Sequence, residues 1–408
     1  MRVLHERCAG ADVHRDTVVV CVLKTEGSGV GKETRTFGTK TRELLTLRDW
    51  LEAEGVTALA IESTGVYWKP VCNVLEGALD VWLCNAQEVR HLPGRKTDVM
   101  DAEWLADLLK HGLVKRSFVP ERPERELRDL TRYRSQIIAE RTSEVNRLHK
   151  TLESANLKIG SVLSDITGVS GRAILEAIVS GETDREKLAD MAVKRVRDRK
   201  RAELVDALDG FIGDHQRFML RMLLEHIDHL DQHIEQLSQK LEELLRPFED
   251  TLQRLDAIPG IARRAAQIIV AEVGTDMSRF PSAEHLASWS GLCPGNNQSG
   301  GRRRSGKTRK GSPWLRAIMV EAAWGSVHAK KSYHRSRYFR IRARRGPKKA
   351  AVAVAHALIK AVFHVLKGAD YRDLGPTYFD AINRDRLISR MRKRLDSLGY
   401  AIVPKETA

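Results

Sequence analysis

The chain of 408 residues carries 69 Lys+Arg against 54 Asp+Glu, a formal net charge of +15, and 42% of its residues are hydrophobic. That apolar fraction excludes a disordered polycation, and the length calls for more than one core. The charge is concentrated: the 51 residues from Ser299 to Lys349 hold 17 basic groups and one acid, Glu321, so the rest of the chain sums to −1. Arginine-rich charge of one sign on an otherwise neutral chain selects a polyphosphate partner, because each neutralised phosphate releases counterions.

No apolar run reaches the ~18 residues of a membrane span. The best, Ala351 to Leu366, is interrupted by His356, Lys360 and His364, which predicts no membrane association. The start, Met1-Arg2-Val3-Leu4-His5-Glu6-Arg7, has no apolar signal core, so the expected compartment is the cytoplasm. Five cysteines, Cys8, Cys21, Cys72, Cys84 and Cys293, contain no CxxC pair and are odd in number. This fits unpaired thiols in a reducing compartment and indicates neither a zinc site nor a disulfide framework.

The first part of the chain alternates in the α/β manner. Short strands are predicted at Ala9–Val13 and at the β-branched run Thr17–Leu23, with a third around Thr34–Phe37 after the Gly27–Gly31 turn. A helix follows over Thr41–Glu54, where Leu44, Leu45, Leu47 and Leu51 recur at helical spacing. Then come a buried strand at Val56–Glu62, a helix at Tyr67–Leu79, a strand at Val81–Asn85 and a helix at Asp98–His111. This is the element order of a ribonuclease-H-like domain, assigned to residues 1–118.

Pro120 and Pro123 open a helical region, 119–250. Its first long helix has Leu127, Leu130, Ile137, Ile138, Val145, Leu148 and Leu152 on one side; the segment 160–213 is helical and charged, and is expected to face nucleic acid. Leu220, Leu223, Ile227, Leu230, Ile234, Leu237, Leu241 and Leu244 follow at spacings of 3, 4, 3, 4, 3, 4, 3. Such a heptad seam predicts a coiled coil, either between subunits or packed back on the Leu127–Leu152 helix. His226, His229 and His233 fall off the seam and are expected on a solvated face.

A mainly helical domain is predicted for 251–370. Leu255-Asp256-Ala257-Ile258-Pro259-Gly260-Ile261 resembles a helix-hairpin-helix whose amides hold a DNA phosphate; an ordinary Pro-Gly connection fits the same letters. Residues 371–408 form a charged tail without a motif.

Two constellations carry chemistry. Asp12 sits in the first strand and Glu62 at the end of the fourth, while Asp98 and Asp101 stand three apart at the start of the helix closing the first domain. Four carboxylates brought together need cations, and hard oxygen ligands suit Mg²⁺ or Mn²⁺. Each acid alone is also a reasonable turn or helix-start residue. The second is Gln298-Ser299-Gly300-Gly301-Arg302-Arg303-Arg304, continuing through Lys307, Arg309 and Lys310. Glycines let backbone amides approach a phosphate and guanidinium forks follow at once. Ser299 there is either a nucleophile toward a phosphodiester or a phosphate ligand, with Ser305 and Ser312 as competitors. Further on, Arg335 to Lys349, with Tyr333, Tyr338 and Phe339 interleaved, is a general nucleic-acid surface with rings for stacking.

Gly10-Ala11-Asp12-Val13-His14, Ile61-Glu62-Ser63-Thr64-Gly65, Arg95-Lys96-Thr97-Asp98-Val99-Met100-Asp101-Ala102, Ile258-Pro259-Gly260 and the Ser299 loop, in that order, resemble the DEDD transposases of bacterial insertion sequences, a group described as bridge-RNA-guided recombinases. The resemblance covers about Arg2–Leu152 and Thr251–Lys367; Arg302 stands where lysine is frequent. It implies a RuvC-like first domain, metal binding by Asp12, Glu62, Asp98 and Asp101, and Ser299 as covalent nucleophile. It also implies a structured non-coding guide RNA, donor and target DNA, and a dimer or tetramer in which the acids of one subunit meet the serine of another. The rival expectations are a metal-dependent endonuclease like a Holliday-junction resolvase and a non-catalytic RNA- or DNA-binding scaffold.

Overall fold

The computed structural model describes residues 3–26, 29–62, 65–84, 98–295, 297–308, 310–382 and 384–401. The chain divides into two compact units, Met1–Pro120 and Glu121–Ala408.

The first unit is a mixed α/β sheet domain. Its elements are β1 (Arg7–Val13), β2 (Thr17–Glu26), β3 (Gly29–Gly38), α1 (Thr41–Ala53), β4 (Ala58–Glu62), α2 (Trp68–Leu75), β5 (Asp80–Cys84) and α3 (Asp98–Lys110). The sheet order is β3-β2-β1-β4-β5, with β1 antiparallel to β2 and parallel to β4. β2 and β3 pair over ten residues each, longer than the alternation in sequence predicts. β1 is apolar at nearly every position because both of its faces are covered. Ala9, Ala11 and Val13 join Leu44, Leu47 and Leu51 of α1 and Val71 and Leu75 of α2 on one side. Cys8 joins Ala102, Leu105 and Leu109 of α3 on the other.

Among its described residues the regular structure of the second unit is helical apart from one hairpin. It begins with α4 (Arg122–Ser154), which has Pro123 in its first turn, where a missing N–H costs nothing. Then follow α5 (Ile159–Val162), α6 (Val169–Val179), α7 (Arg185–Asp190), α8 (Lys194–Ala207) and α9 (Asp214–Leu245). α9 packs on α4, and Leu220, Leu223, Ile227, Leu230 and Leu241 of the heptad seam are buried. Of the two packings the spacing allows, burial against the chain's own helix is the one observed. Arg141 holds Asp231 across the pair, with Nη2 at 3.0 Å from Oδ2. The charged segment between these helices has a core of its own, with Ile174, Leu175, Ile178, Leu188 and Leu204 packed on Leu148, Leu152 and Leu224.

The remaining elements are α10 (Glu249–Asp256), α11 (Arg263–Val273), α12 (Ala283–Trp289), β6 (Asn297–Ser299), β7 (Arg302–Ser305), α13 (Pro313–His328), α14 (Tyr333–Arg345), α15 (Pro347–Leu366), α16 (Tyr378–Ile382) and α17 (Arg384–Asp396). α15 is long and apolar enough by composition to cross a membrane. Here its Val354, Leu358, Ile359, Val362 and Phe363 are buried, with α11's neighbour α10 and helices α12, α13 and α14 packed around it. The 371–408 segment is not featureless, since it forms α16 and α17.

Candidate acidic site and serine hairpin

In the first unit the register Ala11↔Ile61 between parallel β1 and β4, continued by one residue, sets Asp12 beside Glu62 at the ends of neighbouring strands. Alternation along a strand turns both away from the Ala11/Ile61 face and toward the side covered by α3. α3 lies directly on that side. A Cβ on Gly10 would stand 2.2 Å from the Ala102 carbonyl oxygen and 2.4 Å from the Ala106 nitrogen, so only glycine admits the helix there. Cys8 donates its thiol to the Ala106 carbonyl at 3.5 Å. Four residues of α3 therefore match two of β1, running oppositely, about 6 Å in each case. One further step brings the Asp98 turn level with Asp12.

His14 joins this end of the sheet: its Nε2 is 3.0 Å from Asp12 Oδ2. His14 lies one residue past the end of β1, two beyond Asp12, and the sequence by itself gives it no role. Burial pushes the Cys8 thiol up to about 12, which makes it an inert packing group beneath α3. Among the described residues no three Asp, Glu, His or Cys side chains form a metal-holding cluster. The Asp98 side chain, like residues 95–97 and Ser63 and Thr64 of the quoted motifs, lies outside the described residues. The oxygen donors that are described, Asp12 and Glu62 at one edge with Asp101 on the covering helix, are of the kind Mg²⁺ or Mn²⁺ takes.

In the second unit Ser299 is the last residue of β6 and pairs with Arg302 across a two-residue turn. Gly300 and Gly301 have φ of +55° and +72°, both positive as a type I′ turn requires. Nothing lies within 4 Å of a Cβ at either glycine, so the tip is open. The base of the hairpin is held: the Gly295 amide donates to the Lys307 carbonyl at 3.0 Å, and Arg316 Nη1 donates to Thr308 Oγ1 at 2.7 Å and to the Gly291 carbonyl at 3.0 Å. Gly300, Gly301, Arg302, Lys307 and Lys310 are exposed. The side chains of Ser299, Arg303, Arg304 and Ser305, and all of Arg309, lie outside the described residues.

Ser312, a competitor of Ser299 in sequence, has a structural task. Its hydroxyl caps α13, accepting from the Leu315 amide at 3.3 Å, and donates to Glu272 Oε2 at 3.1 Å. Glu272 is fully buried. Arg132 clasps it with two bonds, at 2.7 and 3.0 Å, and burial beside it lowers the Arg128 guanidinium to about 10. This hub was missed in sequence, where Glu272 is one acid in the apolar run of α11. The Pro259-Gly260 turn is likewise structural: a Cβ on Gly260 would stand 2.1 Å from the Ala322 carbonyl, so the hairpin tip is packed on α13.

The interleaved rings of α14 divide. Tyr338 is buried against Trp324 at 5.5 Å, and Tyr333 stacks on Phe379 at 5.2 Å. Only Phe339 of the three is exposed, with Arg335 at 5.0 Å and Arg342 at 5.8 Å from its ring. Stacking on Tyr338 is therefore corrected by its burial. In the 160–213 segment Arg201 is tied to Asp190 and Glu186, whereas Arg195, Arg197 and Arg199 are exposed. His226 stands 3.6 Å from Glu144, and His229 packs on His233 at 4.1 Å between centroids.

Residues 9–157 match the family model described as Transposase, of the DEDD type of IS110, and residues 252–339 match that described as Transposase IS116/IS110/IS902 family. A probable family 20 transposase of Pseudomonas aeruginosa is 31% identical over 119 residues, covering 28% of this chain and 35% of the relative. A putative transposase of Sinorhizobium fredii is 32% identical over 126 residues, 29% of this chain and 32% of the relative. An uncharacterized 43.6 kDa protein of insertion element IS110 from Streptomyces coelicolor is 31% identical over 119 residues, 29% of each chain. The chain thus spans well under half the length of each curated relative it matches.

Proposed function

We propose, from the IS110-type transposase family to which this chain belongs by both matched segments, a DNA recombinase that moves an insertion sequence through a phosphoserine intermediate. In this reading the first unit is RuvC-like, of the ribonuclease-H type, and Asp12, Glu62, Asp98 and Asp101 are its metal-binding acids. The observation that carries it is the placement of Asp12 and Glu62 at adjacent parallel strand ends, on the face that α3 covers.

The Ser299 hydroxyl attacks a DNA phosphorus. A bond forms between Oγ and phosphorus, the bond to one deoxyribose oxygen breaks, and that oxygen leaves with a proton. A free strand hydroxyl then attacks the phosphoserine and returns the proton to Ser299, so the phosphoester bond count is conserved and no ATP is consumed. The open Gly300-Gly301 tip lets a phosphate approach the backbone, and Arg302, Arg303, Arg304, Lys307, Arg309 and Lys310 supply positive charge around it. Mg²⁺ or Mn²⁺ held by the four acids would offset their repulsion and stabilise developing charge on oxygen. A structured non-coding RNA that base-pairs with donor and target DNA, and assembly of the chain into a dimer or tetramer, complete the proposal. Leu220, Leu223, Ile227, Leu230 and Leu241 of the heptad seam are buried within the chain, whereas Leu244 at its end is exposed and stays open to such an assembly.

Trapping tests the chemistry. Wild type incubated with its DNA ends and Mg²⁺ is expected to form a covalent adduct that Ser299→Ala and Asp12→Asn both lose. Strand cleavage by Ser299→Ala with metal still required would instead indicate hydrolysis by the acids, as in a resolvase. Recombination unaffected by Asp12→Asn and Asp101→Asn would leave only a nucleic-acid-binding scaffold.

A further inference from the structure

The C-terminal segment meets α14 around a groove of about 730 Å³. Arg340 and Arg344 of α14 line it together with Arg386, Arg390 and Lys393 of α17. All five are exposed, and none forms an ion pair among the described residues, unlike Arg201 and Arg263, each matched by two acids, and Arg279, matched by three. One acid, Asp380, lines the groove with them. Its Arg340 wall is braced, because Arg340 lies 5.3 Å above the Phe379 ring, which itself stacks on Tyr333.

Like charges gathered around one groove repel at short range, and a polyanion relieves that repulsion. Arg340 and Arg344, and again Arg386 and Arg390, stand at i, i+4, about 6 Å apart along a helix, comparable with the separation of successive phosphates on one strand. Lys393 extends the second row by most of a turn. Among the described residues the lining contains no Asn or Gln to read a base edge.

We propose that α14 and α17 form a clamp for the phosphodiester backbone of a single nucleic-acid strand, bound without regard to sequence. The clamp rests on the nucleic-acid reading above and gives the 371–408 segment a task within it. A single strand is the occupant because cations from two helices converge on one groove, whereas a duplex is met by phosphates from one side.

The test compares the full chain with R386E/R390E/K393E and with R15E/K40E/R42E, a change of equal charge on exposed positions of the first unit. Each is titrated with single-stranded DNA, single-stranded RNA and duplex DNA of one length across a salt series, after circular dichroism shows equal helix content. For the groove variant the dependence of log K on log salt should fall by about 2 on both single strands, roughly 0.7 per lost phosphate contact, with affinity down at least tenfold at low salt. The control variant should keep the wild-type slope. An unchanged slope in the groove variant, an equal fall in the control, or a fall confined to duplex overturns the clamp. A wild type that binds none of the three overturns both the clamp and the functional reading beneath it.

Discussion

Gly10 lies directly beneath Ala102: a methyl group on the glycine would stand 2.2 Å from the Ala102 carbonyl oxygen. The contact is backbone on backbone, so no side chain can swing away to relieve it. Gly10→Ala should therefore destabilise the first unit by about 1–3 kcal/mol, the usual cost of overpacking, and displace the start of α3. A lower denaturation midpoint, together with weaker Mg²⁺ binding than in an equally destabilised Leu47→Ala control, would tie the glycine to the placement of the acids. Equal Mg²⁺ binding in the two variants would make Gly10 a packing residue only.

Glu272 provides a second prediction because its carboxylate is fully buried and bonded by Arg132 and Ser312. Removing one partner of such a pair strands the other's charge, so Glu272→Ala should cost about 3–5 kcal/mol. Ser312→Ala, which loses the cap and one bond to the carboxylate, should cost about 1–2 kcal/mol. Chemical denaturation measures both. Trapping of the covalent adduct should survive Ser312→Ala and not Ser299→Ala; loss in both would reopen the choice of serine.

His334 is buried beneath Tyr371, and neither ring nitrogen has a hydrogen-bond partner among the described residues. Burial lowers its pKa from the ordinary 6.5 to about 4, Asp373 partly opposing and Arg337 adding to the shift. The fold keeps the imidazole neutral while the unfolded chain takes up a proton. Stability from this residue is thus complete above pH 6.5 and is lost as pH falls toward 4, by on the order of 2–3 kcal/mol. Urea titrations at pH 7 and pH 4.5 should show a smaller loss for His334→Phe than for wild type; identical losses would mean that the ring is protonated in the fold.

The thiols give a simple check on packing. Cys8, Cys21, Cys72 and Cys84 are buried and Cys293 is partly exposed, so a thiol reagent should modify Cys293 first in the native chain. All five should react after denaturation. Rapid native labelling of Cys8, whose thiol burial pushes up to about 12, would contradict the seating of α3 on β1.

Much of the first unit was legible because its signals are local. The β-branched run Thr17–Leu23 and the leucine spacing of Thr41–Glu54 each name an element without reference to the rest of the chain. The length of β3 was not legible, since Gly29-Val30-Gly31-Lys32 is held in a strand by its pairing with β2 and not by propensity. The roles of Ser312 and Glu272 were equally hidden, because the residues that decide them lie 40 and 140 positions apart in sequence.

Composition and spacing by themselves predicted a phosphate-bearing partner, acids at the ends of elements and glycines that open a turn beside a serine. Those are properties of charge, periodicity and backbone freedom, all written over short stretches. The tertiary structure alone decided that most of the leucine seam packs on the chain's own long helix, that Ser312 is a cap, that Tyr338 is buried, and that a tail without a motif completes a basic groove. Each of these depends on which distant group arrives to bury, bond or face the residue, and no local pattern carries that information.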